Sequence, residues 1–201
     1  MATSSVSSTS PRVEARTRGP EAAFGLGTLL TALAWAAAIA IAARFPIALP
    51  GTDIPQTAQT LVVLLAGGIG GLTVGTLAIG IYVCAGALGL PVFADGAAGL
   101  SVLLGPSGGY LIGFWFAAGL TGYMADRRML HRVVPAVLTM LLAHVAILAV
   151  GSILLAARVG FVAAWFNGVA PFIVGGVVKS LIAAFFVVIV ARLSAKRSET
   201  A

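Results

Sequence analysis

Lys179 is the residue whose type and position point most clearly to chemistry, because it lies within a long apolar run. Eight residues separate it from Pro171, near the start of that run, so a helix places it about 12 Å along the run. A cation at such a depth in a membrane costs at least about 2.5 kcal/mol and usually faces a cavity or a partner. Snorkelling of the side chain to the membrane surface is the alternative. We therefore predict that Lys179 binds a carboxylate or a carbonyl oxygen of a ligand.

A second set of polar side chains surrounds the start of an earlier apolar run, near residue 55. Thr52 and Asp53 are explained by capping of the helix that this run predicts. Capping does not explain Thr57, Gln59 and Thr60, which fall within the same, otherwise apolar segment. Thr57 and Gln59 are therefore candidate ligand contacts.

Ser107 and His144 raise the question of whether the chain is a serine hydrolase. The run Gly105-Pro106-Ser107-Gly108-Gly109 fits the G-x-S-x-G pattern of serine hydrolases, and a rhomboid-type intramembrane protease would pair such a serine with a histidine of its sixth helix. The last apolar run carries no histidine. His144 lies roughly 17 Å into the fifth run from the side opposite Ser107, so a hydrogen bond between them is not expected. We predict no enzyme and no metal site, and interpret His144 as an interhelical hydrogen-bonding residue, since no second ligand stands at metal spacing.

The stretch 89–114 connects two of the apolar runs and is rich in Gly and Pro, with Asp95 as its only charge. Loops longer than about 12–15 residues are usually functional or disordered, and this one is too apolar for disorder. Irregular backbone at membrane depth is tolerated where it is buried in protein or lines a cavity. The stretch is therefore predicted to line or cover a binding cavity.

Composition restricts the class of protein. The chain of 201 residues is 60% hydrophobic and 9% charged, which predicts a polytopic protein of the lipid bilayer rather than a soluble domain. Its single cysteine, Cys84, excludes an intrachain disulfide. The net charge of +6 does not indicate nucleic-acid binding, because the basic residues lie between apolar segments. No G-x-x-x-x-G-K-S/T motif is present, so the chain does not hydrolyse ATP through a P-loop.

Six apolar runs predict an all-α membrane domain over residues 23–193. Residues 1–22 are predicted to be a disordered cytoplasmic tail and residues 194–201 a second cytoplasmic tail. The second run is the least secure, because only the glycine-rich segment 67–71 separates it from the third. The predicted spans are 24–43, 55–68, 70–89, 107–125, 133–156 and 171–192.

The distribution of basic residues predicts the orientation of these spans. Nine of the 12 Lys and Arg residues lie before the first span, between the fourth and fifth spans, or at and after the end of the sixth. Arg44 and Arg158 lie in the connections that face the other side, and Lys179 lies within a span. The positive-inside rule then predicts that both termini are cytoplasmic. The same topology places the loops near residues 44–54 and 89–107 on the outer face.

Two runs in the apolar loop carry a family resemblance. Gly89-Leu90-Pro91-Val92-Phe93-Ala94 and Leu104-Gly105-Pro106-Ser107-Gly108-Gly109-Tyr110-Leu111-Ile112-Gly113-Phe114 resemble, without gaps, the signature of the BioY family, the biotin-binding S components of energy-coupling-factor (ECF) transporters. The resemblance implies a six-helix S-component bundle with an outward-facing biotin site, in the bacterial inner membrane, without a cofactor. It also implies three partner chains, namely a transmembrane coupling subunit and two ATPase subunits.

The resemblance bears on the candidate ligand contacts. It favours a ligand role for Tyr110, which could otherwise be an aromatic residue of the membrane interface, and it leaves the same two alternatives open for Tyr82. Family members have a Thr-x-Gln-Thr run facing the ligand, similar to the run that begins at Thr57. The candidate ligand-binding set is Lys179, Tyr110, Asp95, Gln59, Thr57, Tyr82, Gly108 and Gly109.

One departure from the family pattern lies on the last helix. The family has Pro-Gly-Asp, then two further residues, then Lys, whereas here Gly176 occupies the Asp position before Lys179. An Asp three residues before a Lys shares its helix face and can pair with it. Asp95 could replace that carboxylate from the loop, or it could be a solvated turn residue. The departure keeps open the alternative of an S component for another vitamin.

The first span contains overlapping pairs of small residues spaced four apart, Ala32/Ala36 and Ala34/Ala38. Such pairs allow close approach of two helices, either within the protein or with another chain. S components have an A-x-x-x-A strip on this helix that docks the coupling subunit. The resemblance implies that Ala32 and Ala36 form this strip, with Ala34 and Ala38 as the alternative register.

Overall fold

The computed structural model describes residues 25–46, 54 and 56–199, and every regular element in that part of the chain is helical. Short 3-10 turns at Ala94–Gly96, Met129–His131 and Ala170–Phe172 join the helices. The tail 1–22, Thr52 and Asp53 lie outside the described residues. The helices are α1 Leu26–Ala42, α2 Gln59–Ala87, α3 Leu100–Leu103, α4 Gly108–Asp126, α5 Val133–Val159, α6 Phe161–Gly168 and α7 Ile173–Glu199.

Helix α2 is a hairpin that reverses direction at Gly71. The backbone of Gly71 has φ 79° and ψ −178°, a conformation that is open essentially only to glycine. A Cβ atom on Gly75 would lie 2.7 Å from the Cα of Gly67, although a straight helix would hold these residues about 12 Å apart. The two halves therefore lie side by side, and they correspond to the predicted second and third spans.

Asp126, the last residue of α4, stabilises this reversal. Its Oδ2 atom accepts a hydrogen bond from the backbone N–H of Leu72 at 3.1 Å, at the start of the second half of α2. A carboxylate there satisfies a free helical N–H group and faces the positive end of the helix dipole. A Cβ on Gly71 would collide with this carboxylate, so position 71 requires glycine for space as well as for backbone conformation.

The helices pack in a closed bundle. Helix α2 contacts α1 and α4, α4 contacts α5, and α5 contacts α6 and α7, which also returns to α2. Glycines permit the close crossings: a Cβ on Gly113 of α4 would lie 2.9 Å from the Cα of Ile147 on α5. Small residues at such crossings are typical of helices packed within membranes. Large apolar side chains more than half exposed on the outside include Leu30, Phe116 and Leu142.

The predicted all-α bundle of six long helices is confirmed, with the halves of α2 counted separately. By length and composition, three helical stretches of the described chain are able to cross a membrane, Gln59–Ala87, Val133–Val159 and Phe161–Lys196, and Leu26–Ala42 is a shorter apolar helix. Helix α7 continues beyond the predicted end of the sixth span at residue 192. Two short helices, α3 and α6, were not predicted. The orientation of the bundle across the membrane remains a prediction.

The preferred register for the docking strip on α1 remains a prediction that the packing of this helix does not support. Ala32 is fully buried and Ala36 is 6% exposed, because this face of α1 packs inside the bundle, mainly against α2. The alternative register is the accessible one, since Ala34 is exposed and Ala38 is half-buried. The pair Ala32/Ala36 therefore serves packing within the chain.

Candidate functional site

A cavity of about 260 Å³ lies at the end of the bundle where α7 begins, between α2, α4, α5 and α7. We call this end the site end. Residues of the stretch 89–114 form much of the cavity wall, among them Phe93, Ala94, Val102 and Phe114. The prediction that this stretch lines a cavity is confirmed. Six of the eight candidate ligand contacts line it as well, namely Lys179, Tyr110, Asp95, Gln59, Thr57 and Tyr82.

Lys179 projects into this cavity from the second turn of α7. Its Nζ atom donates hydrogen bonds to the backbone oxygen of Thr57 at 2.7 Å and to Oγ1 of Thr60 at 3.2 Å. An ammonium group has three donors, so one remains for a ligand. No carboxylate pairs with Lys179 within the described ranges, Asp95 included. A half-buried cation without a counter-ion favours an anionic or strongly polar ligand group.

Gln59, Thr57 and Tyr82 form a fixed polar network beside Lys179. Thr57 donates to Oε1 of Gln59 at 2.8 Å and accepts from the Gln59 backbone N–H at 3.2 Å. Nε2 of Gln59 donates to the hydroxyl oxygen of Tyr82, which lies on the opposite half of the α2 hairpin. The hydroxyl proton of Tyr82 has no acceptor among the described residues. The network therefore presents a preoriented donor to the cavity. Contrary to expectation, Thr57 precedes α2 rather than lying within it.

The loop that covers the cavity is anchored by the buried ring of Phe93. Phe93 is 2% exposed, and its ring meets Tyr82 edge-on at 5.5 Å between centroids. A Cβ on Gly86 would collide with the Phe93 ring, so the absence of a side chain at Gly86 makes room for this ring. The Asp95 side chain is exposed and its backbone is left-handed, with φ 56°.

Tyr110 contributes its ring to the cavity, while its hydroxyl group has a structural partner. The hydroxyl donates to the backbone oxygen of Gly168 at 2.8 Å, which ties α4 to α6. The ring packs over Gly151 of α5, where a Cβ would lie 2.3 Å from it. Tyr110 is therefore positioned for a ring contact rather than for a hydrogen bond to a ligand.

Gly108 and Gly109 are not among the residues that line the cavity. A Cβ on Gly108 would overlap the backbone oxygen of Leu103, and one on Gly109 would lie 3.0 Å from the Cα of Gly151. Both glycines allow close backbone packing of α4, against α3 and α5 respectively. Their direct contact with a ligand remains a prediction that this geometry does not support.

Two lining residues received no ligand role from the sequence, His144 and Gln56. Nδ1 of His144 and Nε2 of Gln56 are buried and have no hydrogen-bond partner in the described part of the chain. The expectation that His144 is a satisfied interhelical hydrogen-bonding residue is therefore wrong. Its spacing from Ile147, Leu148 and Gly151 is typical of one helix face, and the contact of Gly151 with Tyr110 shows which way that face points.

Ser107 also lines the cavity, so it lies nearer to His144 than the sequence indicated. No hydrogen bond joins the two side chains within the described residues. The pairing that a serine hydrolase requires is therefore not formed.

A larger space of about 620 Å³ lies among α5, α6 and α7. Its lining is almost entirely aliphatic or aromatic, with His144 and Ser152 as exceptions. A binding site needs a few convergent polar groups to orient a ligand. The smaller cavity around Lys179 has them and the larger space does not, so the smaller cavity is the candidate site.

A model of the BioY family matches residues 14–196 of the chain. The chain belongs to the BioY family. One BioY relative, "Biotin transporter BioY" of Rhizobium etli, is 36% identical over 165 residues, which cover 78% of this chain and 88% of that protein. Another, "Probable biotin transporter BioY" of Pyrococcus horikoshii, is 42% identical over 140 residues, which cover 70% of this chain and 80% of that protein.

A solved structure supports the same BioY assignment. It is the crystal structure at 2.1 Å of the S-component for biotin from an ECF-type ABC transporter. The two chains superpose with a TM-score of 0.72 at 27% sequence identity, and the match covers 84% of this chain and 90% of the other. The helical bundle is therefore that of an ECF S component.

Proposed function

We propose that this chain is the biotin-binding S component of an ECF transporter and that biotin binds in the cavity around Lys179. The observation that carries the proposal is a half-buried lysine with a free donor and no counter-ion in the described chain, in a fold shared with an S-component for biotin. Biotin carries a carboxylate at one end and a ureido ring at the other. Lys179 can neutralise the carboxylate, and the aromatic wall of Tyr82, Phe93 and Tyr110 suits the apolar thioether ring that is fused to the ureido ring.

Titration of the purified protein with biotin tests this function. We expect saturable binding of one biotin per chain without ATP, measured by isothermal titration calorimetry in detergent. Thiamine and riboflavin serve as controls and should give no binding heat. Heat with either of them and none with biotin would instead identify an S component for another vitamin, an alternative that the glycine at position 176 keeps open.

The proposal includes an orientation with both termini in the cytoplasm of a bacterial cell. The two ends of the bundle differ in basic residues: Arg127, Arg128 and Arg192 lie at the end that carries Asp126, and Arg44 and Arg158 lie at the site end. The positive-inside rule makes the Asp126 end cytoplasmic. The cavity then opens towards the outer face of the inner membrane, where vitamin uptake begins.

Uptake against a gradient requires partners. Binding alone only redistributes a ligand, and the sequence has no P-loop. We infer that a transmembrane coupling subunit links the chain to two ATPase subunits. The exposed strip Ala34/Ala38 on α1 suits close approach by a helix of the coupling subunit.

Arg44 is predicted to slow the release of biotin by holding the covering loop. Its Nη2 atom donates to the backbone oxygen of Pro91 at 2.5 Å, which joins the end of α1 to that loop. We expect R44A to raise the dissociation rate of biotin about three- to tenfold, as befits the loss of one exposed, charge-assisted hydrogen bond. Stopped-flow exchange against excess unlabelled biotin measures the rate. R158A also removes one positive charge at the site end, and it should leave the dissociation rate of biotin unchanged. If R44A and R158A raise that rate equally, the effect comes from the loss of charge and the Arg44 contact with the loop does not slow release.

A further inference from the structure

Two consecutive glycines of α7, Gly175 and Gly176, lie beneath side chains that line the cavity beside Lys179, namely those of Gln56 and His144. A Cβ on Gly175 would collide with the side-chain amide of Gln56, and a Cβ on Gly176 would lie 2.6 Å from Cδ2 and Nε2 of His144. The two side chains thus occupy volume that any larger residue at positions 175 and 176 would need. In the family pattern, position 176 carries an aspartate.

His144 therefore lies where that aspartate side chain would project. Gly176 and Lys179 are three residues apart on α7 and share a helix face, so the imidazole ring over Gly176 lies on the same side of α7 as the Lys179 side chain. His144 and Lys179 both line the cavity. His144 is 5% exposed, and neither of its ring nitrogens makes a hydrogen bond within the described residues.

An unpaired imidazole is costly in a buried site unless a ligand satisfies it. A neutral imidazole offers one acceptor nitrogen and one donor nitrogen, whereas a carboxylate offers acceptors only. When His144 over Gly176 takes the place of an aspartate at position 176, an acceptor remains beside the cavity and a negative charge near Lys179 is removed. The full positive charge of Lys179 is then available to the carboxylate of a ligand.

We propose that His144 is a ligand-binding residue whose imidazole accepts a hydrogen bond from a ureido N–H of biotin, in place of the carboxylate that the family has at position 176. This inference rests on the proposed biotin function and deepens it. It assigns the two ends of the ligand to different groups, with the carboxylate at Lys179 and a ureido N–H at His144.

The first test uses H144F, which keeps a flat ring and removes both nitrogens. We expect its Kd for biotin to be about ten- to a hundredfold weaker than that of the wild type, since a ligand N–H loses its acceptor. Biotin methylated on either ureido nitrogen supplies a readout that a structural role would not move. The wild type should discriminate against at least one methylated form, and H144F should bind that form and biotin alike.

The second test is a cycle between positions 144 and 176. G176D alone should weaken binding, because its side chain needs the space of the His144 ring. H144A alone should weaken binding by loss of the acceptor. The double variant should bind more tightly than H144A alone, since the carboxylate at position 176 then supplies an acceptor in the space that H144A opens. This cycle decides the question if H144F does not fold.

The outcomes separate the two proposals. If the wild type does not bind biotin, the proposed function is wrong and this inference falls with it. If the wild type binds biotin but H144F keeps the same affinity and the same discrimination, His144 is a packing residue and the inference alone is wrong. A double variant that binds biotin no more tightly than H144A would also overturn it, because a carboxylate at position 176 would then not replace the missing acceptor.

Discussion

Replacing Lys179 with methionine is expected to weaken biotin binding by about 2–5 kcal/mol, which is roughly thirty- to several-thousandfold in Kd. Most of this loss comes from the ligand carboxylate, which would be desolvated in the cavity without a cation. Methionine has a similar length and keeps the contacts of the aliphatic stem. Lys179 has no carboxylate partner in the described chain, so the free protein loses only its bonds to Thr57 and Thr60.

Unfolding of the ligand-free variant separates a binding role from a structural one. Burying a cation without a counter-ion is unfavourable, so K179M without ligand should melt at or above the wild-type temperature. Its preference for biotin over the neutral biotin amide should also disappear. K196M, at the opposite end of the bundle, is the control for loss of one positive charge. Normal binding by K179M together with a lower melting temperature would make Lys179 structural and remove the proposed carboxylate site.

Substitution of tryptophan at two neighbouring positions of α1 should separate folding from transport. Ala32 is fully buried, so A32W overfills a packed interface and should reduce the yield of folded protein and its ligand binding together. Ala34 is exposed, so A34W should fold and bind biotin normally. At that position the large side chain would hold the coupling subunit away and forfeit its contacts. We expect biotin uptake by cells that express A34W with all partner subunits to fall to the level of cells without the coupling subunit.

Binding, co-purification and uptake are measured in parallel for this pair. A34W should lose co-purification with the coupling subunit and uptake together while its Kd for biotin is unchanged. L33W is the matched control, because Leu33 is also exposed and lies about 100° around the same helix from Ala34, away from Ala38. Full uptake by A34W would exclude the Ala34/Ala38 strip as the docking surface. Equal uptake by cells with and without every coupling subunit would refute the need for a partner.

Much of the architecture was accessible from local patterns. Apolar runs of about 20 residues predict spanning helices, because backbone polar groups in a bilayer must be satisfied within the segment. That rule led to the six long helices, including the division of the α2 hairpin near Gly71. The depth of Lys179 and the irregular backbone expected for the stretch 89–114 both pointed to a cavity, since a lone charge and unpaired backbone polar groups are each unfavourable in lipid.

Local patterns do not determine which face of a helix meets which neighbour. The alanine pairs of α1 are equivalent in sequence, and only the packing of α1 against α2 makes Ala32 buried and Ala34 accessible. Gly108 and Gly109 belong to the signature that led to the cavity, yet they serve helix crossings beside it. A glycine permits close approach without specifying what approaches, so its role depends on the partner.

The sequence by itself determined the membrane class, the number of long helices, the BioY resemblance and a lysine that needs an oxygen partner. These follow from hydrophobicity, chain length and charge, which act locally. The tertiary structure decided that Thr57 and Thr60 meet Lys179, that Gln59 reaches Tyr82 across a hairpin, and that His144 fills the space above Gly176. Those contacts join residues up to 122 positions apart, and their geometry depends on how all the helices pack at once.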